Sequence, residues 1–213
     1  SPLPPECSGI ADYGADLLPA LCEHFRIDVV VEQARIDAEA ITARCAVRDS
    51  AWLRAHAAEF DAVLYHFGNS HFHTWMADLL PDVPGIVVLH DFHLGGLVWS
   101  IADQPGRAAE RYEQLRYSHG PAALAEGLRN TVDPGEPFFR YPCNRGVLEH
   151  ARGVVVHSEE AERLARRWFG PEAAAHWIRI PLTRTPAPGA DRAEARERLG
   201  LPQAAFIVCN FGL

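Results

Sequence analysis

The chain contains no lysine; all 20 of its basic residues are arginine. This absence excludes a Schiff-base lysine, a lysine general base and a phosphate-binding P-loop lysine. A phosphate held by this chain would rest on arginine, backbone N–H groups or helix N-termini. Cysteine is scarce and odd in number, at 7, 22, 45, 143 and 209, with no C-x-x-C spacing. Neither a disulfide framework nor a zinc knuckle is indicated, and a reducing cytoplasm fits this usage best. No apolar run approaches the ~18 residues of a membrane span, and no signal peptide is expected at the start. What remains is ordinary for a globular protein: 213 residues, 48% hydrophobic and 23% charged. Disordered, collagen-like and coiled-coil readings are thereby excluded.

The net charge is −8 and is unevenly placed. Residues 1–150 carry 11 Arg against 21 acidic residues, whereas residues 151–213 carry nine against seven. An acidic N-terminal part repels nucleic acid and anionic membrane surfaces, so neither is expected as a partner.

Strand-like and helix-like segments alternate. After the Pro-rich start SPLPPECS, Ser8 can cap a helix reaching about Phe25, with Ile10, Leu17, Leu18, Leu21 and Phe25 on one face. IDVVVE (27–32) reads as a buried strand, and residues 33–49 are ambiguous. A helix at 50–59, a strand at DAVLYHF (61–67), a turn at GNS (68–70) and a helix at 72–80 follow. IVVLH (86–90) is the third strand. Residues 94–151 contain several helical stretches with breaks at Gln104-Pro105-Gly106, Gly120-Pro121 and Asp133-Pro134-Gly135. GVVVH (153–157) is the fourth strand and WIRIP (177–181) the fifth. Between them lies a helix capped by Ser158, with acids in its first turn, Arg166 and Arg167 in its last, and Gly170-Pro171 as its stop. A linker at 186–189, a helix begun by Asp191 and Glu194, and a last strand at 205–213 complete the chain. Strands apolar on both faces and separated by helices predict an α/β fold, a Rossmann-like parallel sheet flanked by helices on both sides.

In such a sheet ligands bind at the carboxyl ends of the strands. Those ends carry His66-Phe67-Gly68-Asn69-Ser70, His90-Asp91-Phe92-His93 and His157-Ser158-Glu159, and Ser8-Gly9-Ile10 opens the first helix. An imidazole beside a carboxylate, as at His90-Asp91, can orient a hydroxyl or move a proton, although a histidine bonded to its own backbone surroundings is the commoner case. His66, His71, His73, His90, Asp91 and His93 are acceptable zinc or iron ligands, yet no H-E-x-x-H is present, and a metal site is the less favoured reading. Arg140 and Arg145 could clamp an anion, but a solvated helix face is the plainer reading. Cys143 reads as packing rather than as a nucleophile, and Trp52, Trp75, Trp99, Trp168 and Trp177 as core.

Five segments together resemble the N-terminal domain of family 4 glycosyltransferases of the GT-B type. They are SPLPPECSGIADYGADLLPAL, DAVLYHFGNSHFH, GIVVLHDFHL, ARGVVVHSEEAERL and DRAEARERLGLPQAAFIVCNFGL. The resemblance covers nearly the whole chain in the family's order. It implies an acceptor-side domain at 1–185, and at 186–213 the linker helix and first strand of a donor-side domain. The implied activity is retaining transfer of a sugar from a nucleotide sugar, as substrate, to a glycan or other hydroxyl acceptor. It implies no further cofactor or metal, and an inactive chain when isolated. His90 matches the family's strand-end histidine beside the transferred sugar, positioning it or polarising a hydroxyl. Gly9 and Ile10 match the loop approaching donor phosphates and acceptor, Asn69 and Asp91 are placed to bind acceptor hydroxyls, and Ser8, His66 and Ser158 are further substrate-binding candidates. The family's basic donor-binding pair corresponds to nothing before Leu213. Two departures stand out. The family's strand before SPLPP has no counterpart, which implies a gap in the sheet that 205–211 could fill within the chain or through a strand-mediated dimer. The acidic N-terminal part disfavours a lipid acceptor. A histidine-rich metal hydrolase or deacetylase and a non-catalytic carbohydrate-binding module remain as alternatives.

Overall fold

The computed structural model describes residues 1–130, 133–182, 189 and 191–209. It is an α/β fold built on parallel strands flanked by helices, Rossmann-like in architecture. Ser8 caps α1 (Gly9–Leu21), its Oγ accepting from the Ile10 N–H. β1 (Asp28–Val30), α2 (Glu39–Thr42) and β2 (Ala46–Arg48) follow, β1 and β2 pairing in parallel. α3 (Ser50–His56) leads to β3 (Leu64–Phe67), α4 (Thr74–Leu79) to β4 (Ile86–Leu89), and a run of α5 (Gly95–Ala102), α6 (Glu110–Arg129), α7 (Glu136–Arg140) and α8 (Arg145–His150) to β5 (Gly153–Val156). α9 (Glu159–Phe169) returns the chain to β6 (Ile178–Arg179), and α10 (Arg192–Arg198) comes last among the described residues.

The strands form two separately bonded sheets, β1–β2 and β3–β4–β5–β6, all pairings being parallel. Among the described residues no ladder joins β1 to β3. Val30 nevertheless packs against the main core.

Register explains which face is dry. His66 pairs with Val88, and Val88 with Val155, so side chains alternate in step across the three strands. One face presents Tyr65, Phe67, Val87, Leu89, Val154 and Val156, all buried in the main core. The other presents Leu64, His66, Ile86, Val88, Val155 and the following His90 and His157; Leu64 is exposed and most of the rest half-buried. The strands are apolar on both faces, as the sequence leads one to expect, but only the first face is fully buried. The second face turns polar where it reaches the carboxyl end.

Other expectations also shift. The first helix stops at Leu21, and Phe25 lies outside it and exposed, because the turn at 22–25 bonds back to Leu18, Ala20 and Leu21. The ambiguous stretch 33–49 supplies α2 and β2. The Gly120-Pro121 break is a kink inside α6, with Gly120 at φ +83°, a backbone state that suits glycine. The closing strand at 205–213 is not formed over 205–209; residues 210–213 lie outside the described residues. Phe206 and Val208 are exposed there, and the Arg196 guanidinium binds the carbonyls of Pro202 and Ala205 at 2.8 Å, holding this segment against α10. It therefore does not fill the break between the two sheets over 205–209. Most of the linker at 186–189 lies outside the described residues.

Candidate functional site

Three imidazoles meet at the carboxyl edge of the β3–β6 sheet. His66 lies within β3, while His90 and His157 directly follow β4 and β5. The shared register puts all three on one face. His66 Nδ1 and His90 Nε2 are 3.0 Å apart, one donating to the other. The rings of His90 and His157 lie 4.7 Å apart. His157 Nδ1 is 2.8 Å from the Ile180 carbonyl, which can only accept, so Nδ1 donates to it. Its Nε2 is buried without a partner among the described residues. His157 was read from the sequence only as a strand end; its place in the cluster comes from register.

Tyr13 of α1 covers the group, its ring 5.0 Å from His90, 5.6 Å from His157 and 5.8 Å from His66. Sequence reasoning missed it. The available signal was its spacing of three from Ile10, which puts both on one face of the helix that Ser8 opens. Ile10 itself rests on Gly68, just past β3. A Cβ at Gly68 would collide with the Ile10 side chain and come within 2.9 Å of His73 Nε2, so glycine here permits the close approach of α1 to the strand ends.

Burial sets the charge of these groups. It pushes His66 and His73 down to about 3 and His90 to about 4, with neighbouring positive charge as the smaller cause. All three are neutral at pH 7. A neutral imidazole pairs one donor with one acceptor, which suits hydroxyl groups better than phosphates.

The polar rim follows a similar pattern. Asp91 Oδ2 accepts from the Asn69 N–H at 2.9 Å, tying the loop after β3 to the loop after β4. Asn69 Oδ1 accepts from the Leu97 N–H in the first turn of α5. The Asn69 carbonyl is thus committed to the scaffold, and its amide nitrogen is the group left to a ligand. Ser158 Oγ caps α9 by accepting from Ala161 N–H at 3.4 Å. At Gly9 an added Cβ would meet nothing within 4 Å. The fold does not require glycine there, and the open space is on the first turn of α1. We expect Gly9→Ala to leave the urea midpoint unchanged while weakening any ligand that approaches this backbone, as read by side-by-side denaturation and ligand titration.

The remaining sequence candidates lie elsewhere. His73 is fully buried beneath Gly68, with neither ring nitrogen hydrogen-bonded among the described residues. The His71 ring lies against Phe72, tilted by 36° with centroids 4.1 Å apart. His93 packs beside Phe92 and faces a separate aromatic group in which His119 contacts Tyr141, Trp168 and Phe169. Among the described residues no three His, Cys, Asp or Glu side chains are arranged to hold a metal ion. Arg140 is paired with Glu126 and Glu136, and Arg145 with Glu149, so the two guanidiniums neutralise carboxylates on exposed helices instead of forming a clamp. Cys143 is buried, and that burial pushes its thiol up to about 12, as befits a packing residue.

No protein family, curated protein or solved structure matches the chain. The functional reading therefore rests on the site itself and on the sequence motifs. Among the described residues no helix is long and apolar enough to cross a membrane.

Proposed function

We propose that this chain is the acceptor-side half of a retaining glycosyltransferase, in which the Tyr13–His66–His90–His157 group receives a sugar. The observation that carries this reading is the meeting of three imidazoles, His66 and His90 among them held neutral by burial, under one aromatic ring at the carboxyl edge of a parallel sheet. Hydroxyl-rich ligands need many donors and acceptors and an apolar ring to cover C–H faces, and this group offers both. In this reading His90 positions the transferred sugar or polarises a hydroxyl, and its contact with His66 fixes the ring. The α1 turn at Ser8, Gly9 and Ile10 lines the approach, and Asn69, Asp91 and Ser158 form the rim. The nucleotide sugar would be held mainly by a second, donor-side domain, so the isolated chain binds acceptor without turning it over.

The test is a titration of the isotope-labelled chain with a panel of mono- and oligosaccharides, and separately with UDP and GDP, followed by NMR. At least one saccharide is expected to shift the ring resonances of Tyr13 and His90, and His90→Ala is expected to weaken that binding about tenfold, the share of one or two hydrogen bonds. Nucleoside diphosphates are expected to leave these rings unmoved. If no saccharide perturbs them while zinc saturates them, the metal-hydrolase reading replaces this one.

A further inference from the structure

Cys22 caps the C-terminal end of α1, and Cys45 immediately precedes β2. Their sulfurs lie 3.0 Å apart, although 23 residues separate them in the chain. A disulfide bond is about 2.05 Å long, so closure asks for about 1 Å of movement. Both side chains belong to the small core under α1, with Leu3, Val29, Val31 and Ile41; Cys45 is buried and Cys22 half-buried at its rim. The other cysteines differ in setting: Cys7 and Cys209 are exposed, and Cys143 is buried in another cluster beside Val98, Leu115 and Phe138.

We propose that Cys22 and Cys45 form a reversible dithiol–disulfide pair, oxidised by low-molecular-weight disulfides, that ties the end of α1 to the β1–β2 sheet. The more accessible Cys22 reacts first. Its thiolate attacks one sulfur of R–S–S–R, the small disulfide bond breaks, and R–S⁻ leaves and takes up a proton. The Cys45 thiol then gives its proton to solvent and attacks the Cys22 sulfur, expelling the second R–S⁻, which is protonated in turn. Two protein thiols lose two electrons, and one small disulfide becomes two thiols. Burial, helped by the neighbouring Cys22 sulfur, pushes the Cys45 thiol up to about 12, which assigns it the resolving step and makes that step the slow one.

The consequence reaches the candidate site through α1. This one helix carries Ile10 and Tyr13 on its first turns and Cys22 at its end. A covalent tie at Cys22 fixes the far end of the element that covers the imidazoles. The proposal stands on the cysteine geometry and does not depend on what the site binds.

The experiment incubates the full chain with oxidised glutathione, blocks free thiols with iodoacetamide, and digests at arginine and at acidic residues so that Cys7 and Cys22 separate. Mass spectrometry is expected to find a Cys22–Cys45 crosslink that dithiothreitol removes. Cys45→Ser is expected to accumulate glutathione on Cys22, and Cys22→Ser to leave Cys45 unmodified. In wild type, oxidation is expected to raise the unfolding midpoint by about 5 °C, a shift absent in Cys22→Ser. The pairing is wrong if Cys22 and Cys45 are both still alkylated after conditions that glutathionylate exposed Cys7. It is equally wrong if glutathione stays on Cys22 in wild type, or if Cys22 crosslinks to Cys7 or Cys209.

Discussion

Stability is expected to fall steeply as the pH is lowered from 6.5 to 4. His66, His73 and His90 titrate at about 3 to 4 in the folded chain, against 6.5 for a free imidazole. Between those values the unfolded chain binds more protons than the folded one. The stabilisation is therefore complete above pH 6.5 and is lost as the pH falls toward the folded values. Each imidazole contributes up to about 1.4 kcal/mol per pH unit in that window, so the three together contribute up to about 4 kcal/mol per pH unit. Urea denaturation at a series of pH values measures this directly. Over the interval from 6.5 to 5 ordinary carboxylates stay charged, and the slope also carries His119, pushed down to about 4 by burial, and the buried Ser1 amine, pushed down to about 5. A flat profile there would mean that the three rings are solvated in the folded protein. Within the same series, His73→Leu is expected to reduce the slope by about a fifth. It should also raise stability at pH 7 by about 1 kcal/mol, since it replaces two buried ring nitrogens that lack partners.

Gly95→Ala is the other change with a large expected effect. Gly95 opens α5, and a Cβ built on it coincides with the backbone carbonyl of Phe138 in α7. Backbone cannot swing aside as a side chain can, so the two helices must separate. The Leu94 N–H bond to the Pro142 carbonyl, 2.8 Å long, and the Asn69 bond to the Leu97 N–H both anchor this same start of α5. The expected loss is about 3 kcal/mol or more, read as a lower urea midpoint, with Gly9→Ala as the neutral comparison at another helix start. A stability equal to wild type would show that α5 and α7 are not in contact at this point.

The parts of the fold legible in the sequence are those with strong local physics. Strands β4 and β5 are apolar β-branched runs, and β3 is a largely apolar, aromatic one. Ser8, Ser158 and Asp191 were read as helix starts, and each accepts a backbone N–H in the first turn. Three-residue β2 is exposed or half-exposed throughout, so it carries no alternation to read. The run AFIVCNFGL shows the converse limit. High strand propensity does not supply a partner edge, and Phe206 and Val208 stay exposed over the part described. At the site, His66 and His90 were legible as strand-end imidazoles, but Tyr13 was not, because its role depends on how α1 crosses the strands. His71, His73 and His93 were indistinguishable from the others by residue type, and only tertiary placement separates them.

The alternation that gathers His66, His90 and His157 on one face also sets what kind of change this region can absorb over generations. A side-chain replacement in β4 alters one contact. A single-residue insertion or deletion within Ile86–Leu89 would turn His90 toward the dry side and Leu89 outward, exchanging the two faces in one step. Variation in the strands should therefore accumulate as substitutions, with length changes confined to the connections such as the long excursion from α5 to α8. The ladder works as a vernier: its spacing keeps three distant parts of the chain in phase, and slipping one notch erases the site while leaving a parallel sheet behind.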